Sequence, residues 1–116
     1  MALPITVQKN SLCDKYKADC VYACLFTAAP LTTGAATSEV VGAIYARVAI
    51  TWGTSASGVV TGTATLNVPA GVTVTHIGCT TGATKTTADV RDTADVTDQA
   101  FGTDGTYALT LTYTQT

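Results

Sequence analysis

The chain has 116 residues and a formal net charge of -2, with 47% hydrophobic, 7% aromatic and only 12% charged residues. That length suits one domain with a modest core, and so weak a charge gives no electrostatic steering toward nucleic acid. No segment approaches the roughly 18 apolar residues of a membrane span, and Met1 to Asn10 lacks the basic start and apolar run of an export signal, so folding in a cytosol is expected. Soluble domains ordinarily carry about 25% charged residues. A charge-poor, Thr-rich chain therefore reads either as a subunit covered by neighbours or as a β-domain with a neutral surface.

Residues 1–9 read as an extended arm, with Pro4 opposing helix. Asn10 or Ser11 can cap a short helix over 10–18, with Asp14 in its first turn and Lys15 and Lys17 late, as the helix dipole prefers. Leu12 and Tyr16 are four apart and share a face, so the helix should gain its stability by docking. Cys20 to Thr27 is apolar on both faces and reads as a strand buried on both sides. Pro30 ends it, and a Thr/Gly/Ala-rich loop follows to Ser38.

The organising stretch is Glu39 to Trp52. Strict alternation from Ala43 onward predicts one strand with Ile44, Ala46, Val48, Ile50 and Trp52 facing a core, and with Tyr45, Arg47, Ala49 and Thr51 opposite. Gly53 to Gly58 is a turn signal. Val59 to Val68 alternates again, with Val60, Gly62, Ala64, Leu66 and Val68 on one face. Pro69-Ala70-Gly71 is a turn, and Val72 to Thr80 is a further strand. Residues 82–101 suggest two short strands, Thr84 to Val90 and Val96 to Phe101, around a solvated acidic loop. Thr106 to Gln115 is the cleanest strand, with Tyr107, Leu109, Leu111 and Tyr113 facing inward. Strands at this spacing, broken by Gly and Pro turns, predict a mainly all-β antiparallel sandwich or jelly-roll-like domain over 20–116, joined to one short N-terminal helix and the arm.

Little in the chain spells chemistry. His76 is the only histidine, and a lone histidine in a strand is ordinarily structural. Cys13, Cys20, Cys24 and Cys79, without an export signal, read as reduced and mostly buried thiols. A zinc site from Cys20, Cys24, His76 and Cys79 is disfavoured, because residues three apart on a strand point to opposite faces. Asp89, Asp92, Asp95 and Asp98 could wrap calcium but lack the glycine-turned loop of a strong motif. No catalytic residue, metal or cofactor is therefore assigned. Arg47 beside Tyr45 requires a carboxylate partner, for which Glu39 is nearest. The pair reads as an intrachain clasp in preference to a bridge between subunits.

Leu25-Phe26-Thr27-Ala28-Ala29-Pro30, the Gly/Thr loop, Glu39-Val40-Val41-Gly42 and Tyr45-Ala46-Arg47 together resemble a group of small tailed-phage proteins, usually labelled tail fibre or head-decoration proteins. The Val68-Pro69-Ala70-Gly71 turn and Val74-Thr75-His76-Ile77-Gly78 are similar to that group as well. The likeness covers about residues 8–80. Ala29 departs from the usual acid before the proline, and Cys79-Thr80-Thr81 departs from the usual aromatic and aspartate. The resemblance implies a non-enzymatic virion component present in many copies. The expected function is a capsid decoration or minor capsid protein on the outside of a phage head, assembled in the host cytoplasm. Its partners would be the major capsid protein or other virion proteins and further copies of itself, a trimer being favoured, with no nucleic acid or membrane. The alternative is a tail-fibre or adhesin module that binds the host surface. The candidate partner-contact residues are Lys9, Leu12, Tyr16, Tyr45 and Arg47.

Overall fold

The computed structural model describes residues 5–30, 38–84 and 89–115. One helix, α1 (Thr6–Asp19), precedes seven strands: β1 (Tyr22–Phe26), β2 (Val48–Ala49), β3 (Thr51–Trp52), β4 (Val59–Val68), β5 (Val72–Thr80), β6 (Val90–Phe101) and β7 (Gly105–Thr114). They form a four-stranded sheet, β2-β1-β5-β6, and a three-stranded sheet, β3-β4-β7, and every pairing is antiparallel. Inward residues of both sheets, among them Ala23, Leu25, Val74 and Ile77 from the first and Ala64, Leu66, Val68 and Leu109 from the second, share one core. The expected antiparallel sandwich with a short N-terminal helix is the observed architecture.

Local patterning explains most elements. β4 buries Val60, Gly62, Ala64, Leu66 and Val68 while Thr61, Thr63, Thr65 and Asn67 stay exposed, as its alternation predicts. Gly62 is needed for packing, since a Cβ there would come within 2.8 Å of Trp52 Cδ2. β1 buries every residue from Ala23 to Phe26, because it is an internal strand flanked by β2 and β5. Consecutive strands change sheets at three places: at Ile50 between β2 and β3, at Pro69-Ala70-Gly71, and between β6 and β7.

Four expectations are corrected. The first concerns the 44–52 strand, which does not exist as one element. β2 and β3 are two-residue strands in different sheets, and the chain passes between them at buried Ile50, whose N–H donates to Val21 O at 2.9 Å. Before this crossing Tyr45 and Arg47 are buried while Ile44 and Ala46 are exposed. The face marked as apolar is thus the outer one in that half, because the polar face finds partners inside.

The second concerns the N-terminus. Helix begins at Thr6, so 6–9 are not extended, and Asn10 lies inside α1, where its side chain accepts from Gly58 N–H at 3.0 Å. The remaining arm residues, 1–4, lie outside the described residues, as does the stretch 31–37 of the Thr/Gly/Ala-rich loop. The third concerns 82–101. Val90–Phe101 is a single strand, so Asp92, Asp95 and Asp98 sit on a β-ladder and not on a loop; residues 85–88 of the expected 84–90 strand are outside the described set. The fourth concerns the thiols: Cys20 and Cys79 are joined as a disulfide, leaving buried Cys13 and Cys24 free. The β1–β5 register places Ala23 opposite Cys79, which brings the Cys20 end of the chain back to Cys79 across 59 residues.

Candidate functional site

Two constellations hold the residues that the sequence singled out. The first is internal. Arg47 donates from Nε and Nη2 to Glu39 Oε2 and Oε1 at 3.0 and 2.8 Å, and from Nη1 to Asp89 Oδ1 and Gly82 O, both at 2.9 Å. Tyr45 OH donates to Glu39 Oε2 at 2.7 Å and accepts from Leu25 N–H at 3.0 Å. The side chains of Arg47 and Glu39 are 0% and 1% exposed, and that of Asp89 is 16% exposed. Burial alone would lower the Arg47 pKa, but its bonds to Glu39 and Asp89 outweigh burial and raise it, so the guanidinium stays charged. Burial, with a smaller push from Glu39, raises the Cys24 thiol well above its ordinary value, and burial likewise raises Tyr45.

This is the intrachain Arg–Glu clasp expected from the sequence, with Asp89 as a third member. A bidentate pair whose remaining donors are satisfied is the form in which a buried ion pair is tolerated. As candidate partner-contact residues, Tyr45 and Arg47 are corrected: both face inward and offer nothing to a partner of the folded subunit. Asp89 was not separable from the neighbouring aspartates by sequence, because it meets Arg47 from 42 positions away.

The second constellation lies at the flank where β6 and β7, edge strands of the two sheets, leave the sandwich open. A cleft of about 250 Å³ runs between them, with Ile77, Ala94, Val96 and Leu111 along it and Tyr16 and Asp92 at one end. Tyr16 of α1 spans the gap. Its ring stacks on Tyr113 of β7 (centroids 4.2 Å apart) and meets Trp52 edge-on at 5.9 Å, while its hydroxyl donates to Asp92 of β6 at 2.6 Å. Burial first, then the Asp92 bond, raises the Tyr16 pKa. Trp52 Nε1–H in turn donates to Cys20 O at 2.8 Å. Tyr16 is therefore a staple between two sheet edges. Lys9 and Leu12 are half-buried on the same helix, and the Lys9 stem lies over Gly58.

The other polar residues do not converge on a reacting centre. His76 Nδ1 is 2.8 Å from the hydroxyl of its neighbour Thr75, and Nε2 is 3.8 Å from Asp95, whose side chain is 81% exposed. These three do not line the cleft. Among the described residues, no group of three or more His, Cys, Asp or Glu is placed to hold a metal ion. Asp89 is engaged by Arg47 and Asp92 by Tyr16, so the acidic series does not act as one ligand set.

Outside these clusters lies the outer face of the three-stranded sheet. It presents Thr51 from β3, Thr61, Thr63, Thr65 and Asn67 from β4, and Thr106, Ala108, Thr110, Thr112 and Thr114 from β7, all exposed and none charged. Cross-strand register aligns Thr51, Thr63 and Thr110 in one row, and Thr61 with Thr112 in the next, where their hydroxyl oxygens are 3.3 Å apart. Sequence reading assigned these threonines to outward faces but could not place them on one surface.

No family model, no curated protein and no solved structure matches this chain.

Proposed function

We propose that the chain is a structural component of a phage particle, a decoration or minor capsid subunit seated on the outside of the head. One observation carries this reading: the uncharged, Thr-lined outer face of β3, β4 and β7. Domain surfaces ordinarily intersperse both signs of charge, whereas the buried centres of protein interfaces are depleted in charged side chains. Such a face can be covered by a neighbour without leaving a charge desolvated and unpaired. The resemblance of residues 8–80 to small tailed-phage virion proteins supports the same class of role. The partners would be the major capsid protein or other virion proteins.

The alternative reading, a tail-fibre or adhesin module, calls for free aromatic platforms on which a sugar could stack. Of the two aromatic candidates for that role, Tyr45 is buried and Tyr22 is half-buried on β1. The deciding experiment is immunogold electron microscopy of intact particles with antibody raised against the whole chain. Gold spread evenly over heads is the expected result. Gold confined to the tail or its tip would overturn the head assignment in favour of the adhesin reading.

A further inference from the structure

We infer that β7 is a self-association edge, through which two copies of this chain pair antiparallel about a two-fold axis at Thr110. β7 pairs on one side with β4 and, among the described residues, has no strand on the other. Which backbone groups face that open side follows from the ladder. Gln115 N–H donates to Gly58 O, so by alternation the odd-numbered residues of β7 turn their N–H and C=O toward β4. Thr106, Ala108, Thr110, Thr112 and Thr114 turn theirs outward. Those same residues carry the exposed side chains.

The strand reads nearly the same in both directions. From Thr106 to Thr114 it is Thr-Tyr-Ala-Leu-Thr-Leu-Thr-Tyr-Thr, symmetric about Thr110 except where Ala108 mirrors Thr112. An antiparallel partner of the same sequence, centred on Thr110, would place Thr110 opposite Thr110, Ala108 opposite Thr112 and Thr106 opposite Thr114. All of these are outward-facing residues, so each opposed pair can exchange two backbone hydrogen bonds. The same register sets Leu109 beside Leu111 and Tyr107 beside Tyr113 on the inner face, like against like, which is the favoured cross-strand arrangement for apolar and aromatic side chains. A two-fold contact requires this self-complementarity.

Nothing on β7 opposes the pairing. It carries no charge and no proline, and its register with β4 is unbroken from Gly105 to Thr114, whereas exposed edges are normally blunted by charge, proline or a bulge. The paired copies would join their three-stranded sheets edge to edge and double the Thr-lined face. The main-chain bonds of strand addition supply affinity, and the result is a two-fold pair in place of the trimer expected from sequence. The inference does not depend on where in a particle the protein sits.

Sedimentation equilibrium of the whole chain is the primary test, with a concentration-dependent dimer expected. Thr110→Lys places two ammonium groups face to face at the axis and should weaken dimerisation at least tenfold. Thr51→Lys, on the same surface but two strands away, should leave it unchanged. Both positions are exposed, and unfolding curves superimposable on wild type would show that the fold is kept. Thr110→Cys should cross-link two copies through a short bifunctional thiol reagent, because hydrogen-bonded antiparallel pairs hold their Cα atoms about 5.5 Å apart. A chain that stays monomeric at every concentration would overturn the inference. So would a dimer that tolerates Thr110→Lys and whose Thr110→Cys variant does not cross-link.

Discussion

β6 and β7 lie at the same open flank of the sandwich, yet they carry opposite chemistry. β6 is charged: Arg91, Asp92, Asp95 and Asp98 lie along it, and its register with β5 shifts between Val74 and His76 and again between Cys79 and Thr80. β7 is uncharged, and its register with β4 is unbroken. Bulges and charge are the means by which a sheet edge refuses a further strand, so one edge of this molecule is guarded and the other is not. The two are also held differently. Beyond its ladder with β5, β6 is tied down by polar side chains, through Asp92 to Tyr16, with Asp89 just before it bound to Arg47. Beyond its ladder with β4, β7 is held by Tyr107, Leu109 and Leu111 packed in the core and by Tyr113 stacked on Tyr16.

Breaking the tie at β6 should have the largest effect. Arg47→Met leaves Glu39 buried without its cation and frees Asp89, an outcome that costs about 3–5 kcal/mol when one partner of a buried pair is removed. Denaturant unfolding should show this loss, and hydrogen exchange should rise in the first residues of β6 before it rises in β7. Leu109→Ala attacks β7 through its buried side chain, 3% exposed, and should cost about 3 kcal/mol, the usual range for such a cavity. Its exchange pattern should be the reverse, with β7 loosened first.

Tyr16 touches both edges, and Tyr16→Phe keeps its ring stacking while deleting the bond to Asp92. A loss of about 1 kcal/mol is expected. Because burial and Asp92 raise the folded pKa of Tyr16 above its ordinary 10.0, its contribution is full below that pH and is lost as pH rises toward the folded value. Wild type should therefore destabilise more steeply in alkali than Tyr16→Phe, as read from unfolding midpoints.

The smallest effect concerns the helix that carries Tyr16. The bonds from Ser55 and Lys17 hold Asp14 below its ordinary pKa, a stabilisation present above that value and lost as pH falls through the lowered one. Asp14→Asn should therefore lower stability slightly at neutral pH, where the charged carboxylate contributes, and match wild type in acid, where that contribution is already lost.

A redox measurement sharpens the same picture at the strand beside β6. Titration of the denatured, unreduced chain should find the thiols of Cys13 and Cys24 only, because Cys20 is bonded to Cys79. A further two reactive thiols would remove that link between the start of β1 and the end of β5.

How legible each region was depended on where its partners lie. β4, β5 and β7 could be read directly, since turn residues bound them and β4 and β7 each bury one alternating face. β6 was misread as two short strands around a loop because it is an edge, mostly exposed on both faces, and carries no alternation to betray it. α1 starts four residues earlier than its polar residues suggest, because Ile5 occupies the cap position with no side-chain cap bond, and no sequence signal marks such a start. In 44–52 alternation holds within each half, but the inward face switches between Arg47 and Val48, so the single strand and the inward face of its first half were wrong. Alternation identifies two faces but cannot say which is buried when the polar one is satisfied from a distance.

The amino-acid sequence by itself determined the all-β class, the turns, the outward threonines of β4 and β7, the Arg47–Glu39 pairing and the near-palindrome of β7. All of these depend on neighbours in the chain or on the two-residue period of a strand. Only the tertiary structure decided that Asp89 completes the clasp, that Tyr16 staples β6 to β7, that Cys20 finds Cys79, and that β7 is an edge. Each of these joins groups that are dozens of residues apart, and their meeting is set by sheet topology and packing, which local preference does not encode.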